Sequence, residues 1–114
     1  MEKIKVANYI INKAIDMNKP LNNLQLNEVI YRLNIYPKKD FKPFAKWHIL
    51  DEVYYEFCIW GMNRLVIKEE SNLFDISVSD RRLVETIIEV KQLEATMSKI
   101  EWTDETWNVI TGCT

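Results

Sequence analysis

The feature that most constrains the fold of this chain is its near lack of glycine. Its 114 residues include only two glycines, Gly61 and Gly112, which lie far apart in the sequence. Phosphate-binding loops of the GxxxxGKS/T and GxGxxG types need several glycines within one turn, because the backbone must approach the ligand closely. The sequence therefore excludes a P-loop or a Rossmann-type dinucleotide site.

Length and charge define the broad class. A chain of 114 residues has the size of one domain, since single cores commonly serve about 100–150 residues, and we expect one domain over residues 1–114. No run of about 18 uncharged apolar residues predicts a membrane span, and no signal-peptide core follows Met1. We therefore expect a cytoplasmic protein with no membrane partner. With 15 basic and 17 acidic residues, strong nonspecific attraction to nucleic acid is not expected.

Hydrophobic periodicity predicts two helices at the start of the chain. Apolar residues recur every three or four positions over residues 4–17, which is typical of an amphipathic helix. Pro20 ends this helix because proline lacks an amide hydrogen and restricts the residue before it. Asn22 or Asn23 then caps a second helix that ends near Leu33. The result is a helical hairpin around an asparagine-capped turn.

The remaining segments predict a mainly α protein. Residues 36–46 contain two prolines and four lysines and are typical of a basic loop. Residues 50–60 form a third helix that ends at Gly61, and Ser79 caps a fourth helix starting at Asp80. A last helical turn begins at Thr103. We expect a compact single-domain bundle of four to five helices with one short β-hairpin near residues 64–78, where apolar residues alternate.

No residue pattern predicts catalysis, a metal or a cofactor. Cys58 and Cys113 are too few and too far apart for a disulfide scaffold or a zinc site, and we expect free thiols. A thiol nucleophile needs a base, and the only histidine is His48. The sequence predicts no catalytic, cofactor-binding or metal-ligating residues and a protein that is not an enzyme.

Two pairs of glutamates lie one helical turn apart. Glu52 with Glu56, and Glu85 with Glu89, have the spacing that places both carboxylates on one helix face. Paired acids can serve glycoside hydrolysis or bind a divalent ion. We interpret both pairs as exposed helix charges, since that is their usual role in a small protein.

The aromatic residues indicate a protein interface. Four tryptophans cannot all be central in so small a core, and Trp, Tyr and Arg are the residues that anchor protein interfaces. We expect one or two of Tyr36, Tyr55, Trp102 and Trp107 to face a partner. The full set of predicted partner-binding anchors is Tyr36, Phe41, Trp47, Tyr55 and Trp60.

A DNA-binding regulator is the alternative function. Two helices joined by a tight turn, followed by a hairpin, would make a winged helix-turn-helix. Its second helix would have to expose polar side chains to a DNA groove. Glu28 on the same helix counts against this alternative. The residues that would contact nucleic acid are Asn23, Gln25, Asn27, Arg32, Arg81 and Arg82.

Sequence motifs in the first third of the chain carry a family resemblance. Val6-Ala7-Asn8-Tyr9 opens the first helix, and Pro20-Leu21, Asn23-Leu24, Leu26 and Tyr31 follow in the second. Residues 6–31 thereby resemble the opening of the Panacea domain family, also described as the phage-associated GepA-like or SocA-like domain. Trp47 and the helix ending at Trp60-Gly61 are similar to a later family element. The family's Gly-Pro-Val motif is missing, Glu28 replaces its usual lysine, and the middle of the chain is shorter.

The resemblance implies a non-enzymatic function. Panacea domains serve as antitoxin modules that neutralise toxins by direct binding, SocA-like members act as proteolytic adapters, and many are carried on phages. A diverged and shortened member implies an interaction protein of a bacterial host cell, acting on a toxin or a host factor as an antitoxin or as a phage-encoded inhibitor. It implies no cofactor and no catalytic residue. Neither the partner nor the oligomeric state follows from the sequence.

Overall fold

The N-terminal helical hairpin has the predicted form. The computed structural model describes residues 3–44, 47–61, 63–66, 68 and 76–89. Helix α1 spans Lys3–Asp16 and helix α2 spans Asn23–Leu33. Asn22 is the N-cap of α2: its Oδ1 accepts from the Gln25 amide at 2.9 Å, and Gln25 Oε1 accepts from the Asn22 amide at 3.0 Å. This reciprocal capping box satisfies two donors that the first turn would otherwise leave free.

Asparagine takes the place of glycine at the ends of both helices. Asn18 after α1 and Asn34 after α2 have φ angles of 59° and 58°, in the left-handed region where glycine usually ends a helix. Beyond Asn18, the Lys19 amide donates to the Ala14 carbonyl at 2.9 Å, as in a Schellman motif. A glycine-poor chain can end helices in this way because asparagine tolerates the left-handed conformation better than other residues with a Cβ atom.

The first strand of the β-hairpin lies in the segment, residues 36–46, that composition assigned to a loop, and the second strand follows it. Strand β1, Phe41–Phe44, pairs antiparallel with strand β2, Trp47–Leu50. In β1, Phe41 and Phe44 are buried while Lys42 and Pro43 are exposed, so the strand lacks the alternation that identifies strands in a sequence. Pro43 is compatible with an edge strand, where its missing amide leaves no ladder bond unmade.

The mainly α class with a small antiparallel hairpin is confirmed. The predicted range for the hairpin, residues 64–78, lies largely outside the described residues, which cover only 64–66, 68 and 76–78 of it. The described residues of that range include no strand. Leu65 and Ile76 are buried, and the Leu65 amide donates to the Leu21 carbonyl at 2.7 Å. Leu65 and Ile76 thus pack against the core as single residues.

Two further helices complete the described structure. Helix α3, Asp51–Phe57, continues as a single 3-10 turn, Cys58–Trp60, which ends at Gly61 as predicted. Gly61 has φ 57° and ψ −125°, a combination that a residue with a Cβ atom avoids. Helix α4, Val78–Glu89, begins before the predicted Ser79 cap. Ser77 serves instead, its Oγ accepting from the Asp80 amide at 3.1 Å. The predicted last helical turn lies outside the described residues.

Helix α2 lies at the centre of the molecule. It packs against α1, α3, α4 and β2, and every residue from Leu21 to Ile30 is buried. The remaining helices and the hairpin form a shell around α2, whose fully buried apolar residues are Leu24, Leu26, Val29 and Ile30.

Among the described residues no helix is both long and apolar enough to cross a membrane.

The left-handed asparagine caps make a stability prediction. We expect Asn34→Ala to lower the free energy of unfolding by about 1 kcal/mol, because alanine lacks asparagine's tolerance for φ 58°. Asn34→Gly should stay within about 0.5 kcal/mol of the parent chain, since glycine accepts the angle but gains freedom in the unfolded chain. Urea unfolding of the three proteins measures both. Equal losses for alanine and glycine would contradict the role of backbone conformation.

Candidate functional site

The most exposed apolar side chains of α3 lie on one outward face. Tyr55 is 57% exposed and Ile59, in the following 3-10 turn, is 88% exposed. Glu52 and Glu56 are exposed beside them, at the three- and four-residue spacings that share a helix face. We call Glu52, Tyr55, Glu56 and Ile59 the α3 stripe.

The opposite face of α3 is fixed to the core. Val53, Tyr54 and Phe57 are buried, with Tyr54 only 1% exposed. The rings of Tyr54 and Tyr55 meet edge to face at 5.2 Å, so the exposed tyrosine rests on a buried one. The stripe is therefore presented by a helix that has little freedom to move.

Two buried asparagines of α2 hold α3 in place through hydrogen bonds. The Asn27 carboxamide oxygen accepts from the Leu50 amide, immediately before α3, at 2.9 Å. The Asn27 Nδ2 group donates to the Asn23 carbonyl at 2.8 Å and to Asn23 Oδ1 at 2.9 Å. Asn23 Nδ2 in turn donates to the Tyr54 carbonyl at 2.9 Å. This chain of bonds, which we call the asparagine bridge, joins α2 to both the start and the middle of α3.

Ion pairs border the α3 stripe. Lys42 Nζ lies 2.7 Å from Asp51 Oδ2, and Lys3 Nζ lies 3.9 Å from Glu52 Oε2. The hydrogen bond that Lys42 donates to Asp51 raises the pKa of Lys42 above its ordinary value, and the negative charge of Asp51 adds to this effect. Glu56 makes no ion pair within the described part of the chain. The stripe thus combines two exposed apolar side chains, Tyr55 and Ile59, with the exposed carboxylate of Glu56, which is placed to pair with a cation of another molecule.

An aromatic and ionic cluster supports the hairpin behind α3. The rings of Tyr31 and His48 stack at 3.8 Å, and Tyr31 meets Phe41 edge to face at 5.2 Å. Glu28 accepts from the His48 amide at 3.3 Å and from Arg32 Nε at 3.3 Å. Such contacts fix the hairpin to α2, so these residues serve the arrangement of the core rather than an exposed surface.

The predicted anchors divide by burial. Tyr55 is exposed, while Tyr36 and Trp60 are half-buried and pack against the core. Phe41 and Trp47, at 8% and 1% exposure, are core residues and as placed present no surface to a partner. Of the five, only Tyr55 lies on the α3 stripe; Trp102 and Trp107 lie outside the described residues.

Ile59 lies on the exposed surface of the α3 stripe but is not among the predicted partner-binding anchors. The sequence places Val53, Tyr54, Phe57 and Trp60 on the buried face by their spacing. Ile59 falls between these positions, so the same helical periodicity assigns it to the outward face with Tyr55. Helical spacing therefore predicts that Ile59 is exposed, but the predicted anchors were all aromatic residues.

Three of the six residues proposed to contact nucleic acid are buried. Asn23, Gln25 and Asn27 are 0%, 2% and 0% exposed. The expectation that α2 offers a polar face to a DNA groove does not match this placement, because its amides bond internally. Arg32 is paired with Glu28. Arg82 is exposed and Arg81 half-buried, both on α4 and apart from α2's buried amides.

Glu85 and Cys58 have structural partners. Glu85 lies 2.6 Å from Lys13, which joins α4 to α1. Cys58 is disulfide-bonded, so the expectation of a free thiol is wrong at this position, and a disulfide sulfur is no thiolate nucleophile; Cys113 lies outside the described residues. In the part of the chain that the structure describes, no three His, Cys, Asp or Glu side chains form a metal-binding group.

Comparison with known proteins adds no relative. No protein-family model, no curated protein and no solved structure matches this chain.

The asparagine bridge makes a prediction about the presentation of α3. Asn27→Ala leaves the buried Leu50 amide without its acceptor, which should cost about 1–3 kcal/mol of unfolding free energy. The exposed Asn63→Ala is the matched control and should change stability by less than about 0.5 kcal/mol. Urea unfolding measures the loss, and amide hydrogen exchange should show faster exchange at Leu50 in the first variant. Unchanged protection of Leu50 would contradict the bridge.

Proposed function

We propose that this chain is a non-enzymatic protein–protein interaction module that neutralises or recruits a target protein through the α3 stripe. The observation that carries the proposal is the exposure of Tyr55 and Ile59, two large apolar side chains four residues apart at the end of a helix that packs on the core. Exposed apolar groups that lie together with a polar border are typical of interaction sites.

The physical arrangement of the stripe favours binding. Tyrosine is among the residues most enriched at the energetic centres of interfaces. Tyr55 lies on a helix that the asparagine bridge fixes from behind, so binding has little backbone freedom to remove. The stripe's three- and four-residue spacing is the pattern with which a helix face enters a groove.

The charge of the stripe selects the kind of partner. Glu52 and Glu56 place negative charge beside the apolar pair. Lys3 Nζ lies 3.9 Å from Glu52 Oε2, and Glu56 has no cation partner among the described residues. Complementary charge governs the specificity and speed of association. The occupant we propose is an apolar groove with a basic rim on a partner protein.

The biological setting in this proposal comes from the sequence resemblance. The motifs of residues 6–31 are similar to Panacea domains, which neutralise toxins by direct binding. The target would then be a toxin or a host factor in a bacterial cytoplasm, and the chain would act as an antitoxin, a proteolytic adapter or a phage-encoded inhibitor.

The interface is tested by changing its two apolar residues. We expect Tyr55→Ala and Ile59→Asp each to weaken binding of the partner about tenfold or more, since truncating an anchor or burying a charge removes more than 1.4 kcal/mol. The measurement is the retention of one stoichiometric protein from bacterial lysate on the tagged chain, followed by titration of that purified protein.

Val66→Asp is the matched control because Val66 is also 57% exposed and lies outside the stripe. It should leave binding unchanged, whereas Glu52→Lys with Glu56→Lys should weaken it. If the Val66 variant loses the partner as the stripe variants do, or if no protein is retained, the α3 stripe is not the interface.

The alternative, a winged-helix-like DNA-binding regulator, predicts a different result from the same preparation. Binding to duplex DNA would be strongest at low salt and would fall steeply as salt is added. Such binding, without a retained protein, would favour the alternative.

A further inference from the structure

A cleft on the other side of the helical hairpin is separate from the α3 stripe. It has a volume of about 580 Å³ and lies between α1 and α4. Volumes of roughly 300–1,000 Å³ are usual for small-molecule sites. Its charged walls come from both helices and from the segment that follows Gly61. These charged residues are Lys13, Asp16, Lys68, Arg81, Arg82 and Glu85.

The cleft carries an excess of positive charge. Lys13 Nζ lies 2.6 Å from Glu85 Oε1, and Lys68 pairs with Asp16. These two pairs are neutral overall. Arg81 and Arg82 have no carboxylate partner among the described residues, so the lining of the cleft, with four basic and two acidic side chains, carries a net positive charge in a chain whose formal net charge is −2.

Arg81 lines the cleft and is only partly buried. Its Nε atom is buried and makes no hydrogen bond within the described part of the chain, which is unfavourable for a donor. An arginine guanidinium matches the oxygens of a phosphate group, so an anion in the cleft would pair with this positive charge.

Tyr9 adds a second donor to the cleft wall. Its side chain is almost buried and lines the cleft. Burial raises the pKa of Tyr9 above its ordinary value, while the charges of Lys13 and Arg81 act in the opposite direction. The phenol therefore stays protonated at neutral pH and can donate a hydrogen bond to an anion beside Arg81.

We propose that the α1–α4 cleft binds a small phosphorylated molecule, whose phosphate group contacts Arg81 and Arg82. A phosphate monoester carries close to two negative charges at neutral pH, which balances the two guanidinium groups that have no carboxylate partner among the described residues. This site is independent of the α3 stripe and of the function proposed for it.

The shape and charge of the cleft favour a small ligand over a nucleic acid. An extended phosphate backbone would run past Asp16 and Glu85 as well as past the arginines, and like charges repel. A single phosphate group can sit at the arginine side alone. The concave cleft also suits a small molecule better than duplex DNA, which binds to an exposed protein surface.

Titration of the full chain with inorganic phosphate and pyrophosphate tests the site. Proton–nitrogen NMR at neutral pH, with ionic strength held constant by chloride, should show saturable shifts at the Tyr9, Arg81 and Arg82 amides. Arg81→Gln and the more exposed Arg82→Gln should each weaken binding about tenfold or more, as expected for loss of a charge-assisted hydrogen bond. Glu85→Gln should strengthen it by freeing Lys13.

Lys39→Gln removes one exposed charge outside the cleft and is the matched control. It should bind both anions as the parent chain does. Absence of saturable shifts, or equal weakening in the Lys39 variant, would overturn the proposal. Displacement of pyrophosphate by a short duplex DNA of greater affinity would also overturn it, because the cleft would then belong to a nucleic-acid surface.

Discussion

The arrangement of this molecule depends on the carboxamide of Asn27. One side chain accepts from the Leu50 amide, where β2 passes into α3, and donates to Asn23, whose own carboxamide reaches the Tyr54 carbonyl. These bonds form in a buried environment, where a satisfied polar group is stable and an unsatisfied one is costly. They specify one position of α3 against α2, which apolar packing alone would leave less well defined. The exposed face of α3 inherits that position.

A central helix with internal polar bonds determines which surfaces are available for function. Asn23, Gln25 and Asn27 satisfy α2 itself, its cap and its neighbours, so α2 has no polar face left for a ligand. The surface of the described residues is formed instead by the outward sides of α1, α3 and α4 and by the hairpin. The surfaces available for binding therefore lie on the shell around α2. They include the apolar and acidic α3 stripe and the basic α1–α4 cleft.

Local sequence signals predicted the helices well and the hairpin poorly. The Pro20 stop, the Asn22 cap and the Gly61 end are local effects that act within one turn, and the structure has all three. The strand Phe41–Phe44 contains a proline and a lysine and lacks alternation; it is held by pairing with Trp47–Leu50 and by burial of two phenylalanines. The burial of Trp47 and of the α2 amides is likewise a tertiary effect, which no local signal predicts. The exposure of Ile59, in contrast, follows from helical periodicity.

The nearly neutral composition conceals a separation of charge across the fold. Fifteen basic and seventeen acidic residues argue against general nucleic-acid affinity, but this sum has no spatial content. Among the described residues, Glu52 and Glu56 lie with apolar residues on α3, whereas Arg81 and Arg82 on α4 have no carboxylate partner and lie beside two neutral ion pairs. Charges act on a binding partner over about a Debye length, roughly 8 Å at physiological salt, so it is this local distribution and not the sum that governs binding. The two proposals, an acidic contact for a protein on α3 and a basic cleft for a phosphate between α1 and α4, both rest on this separation of charge.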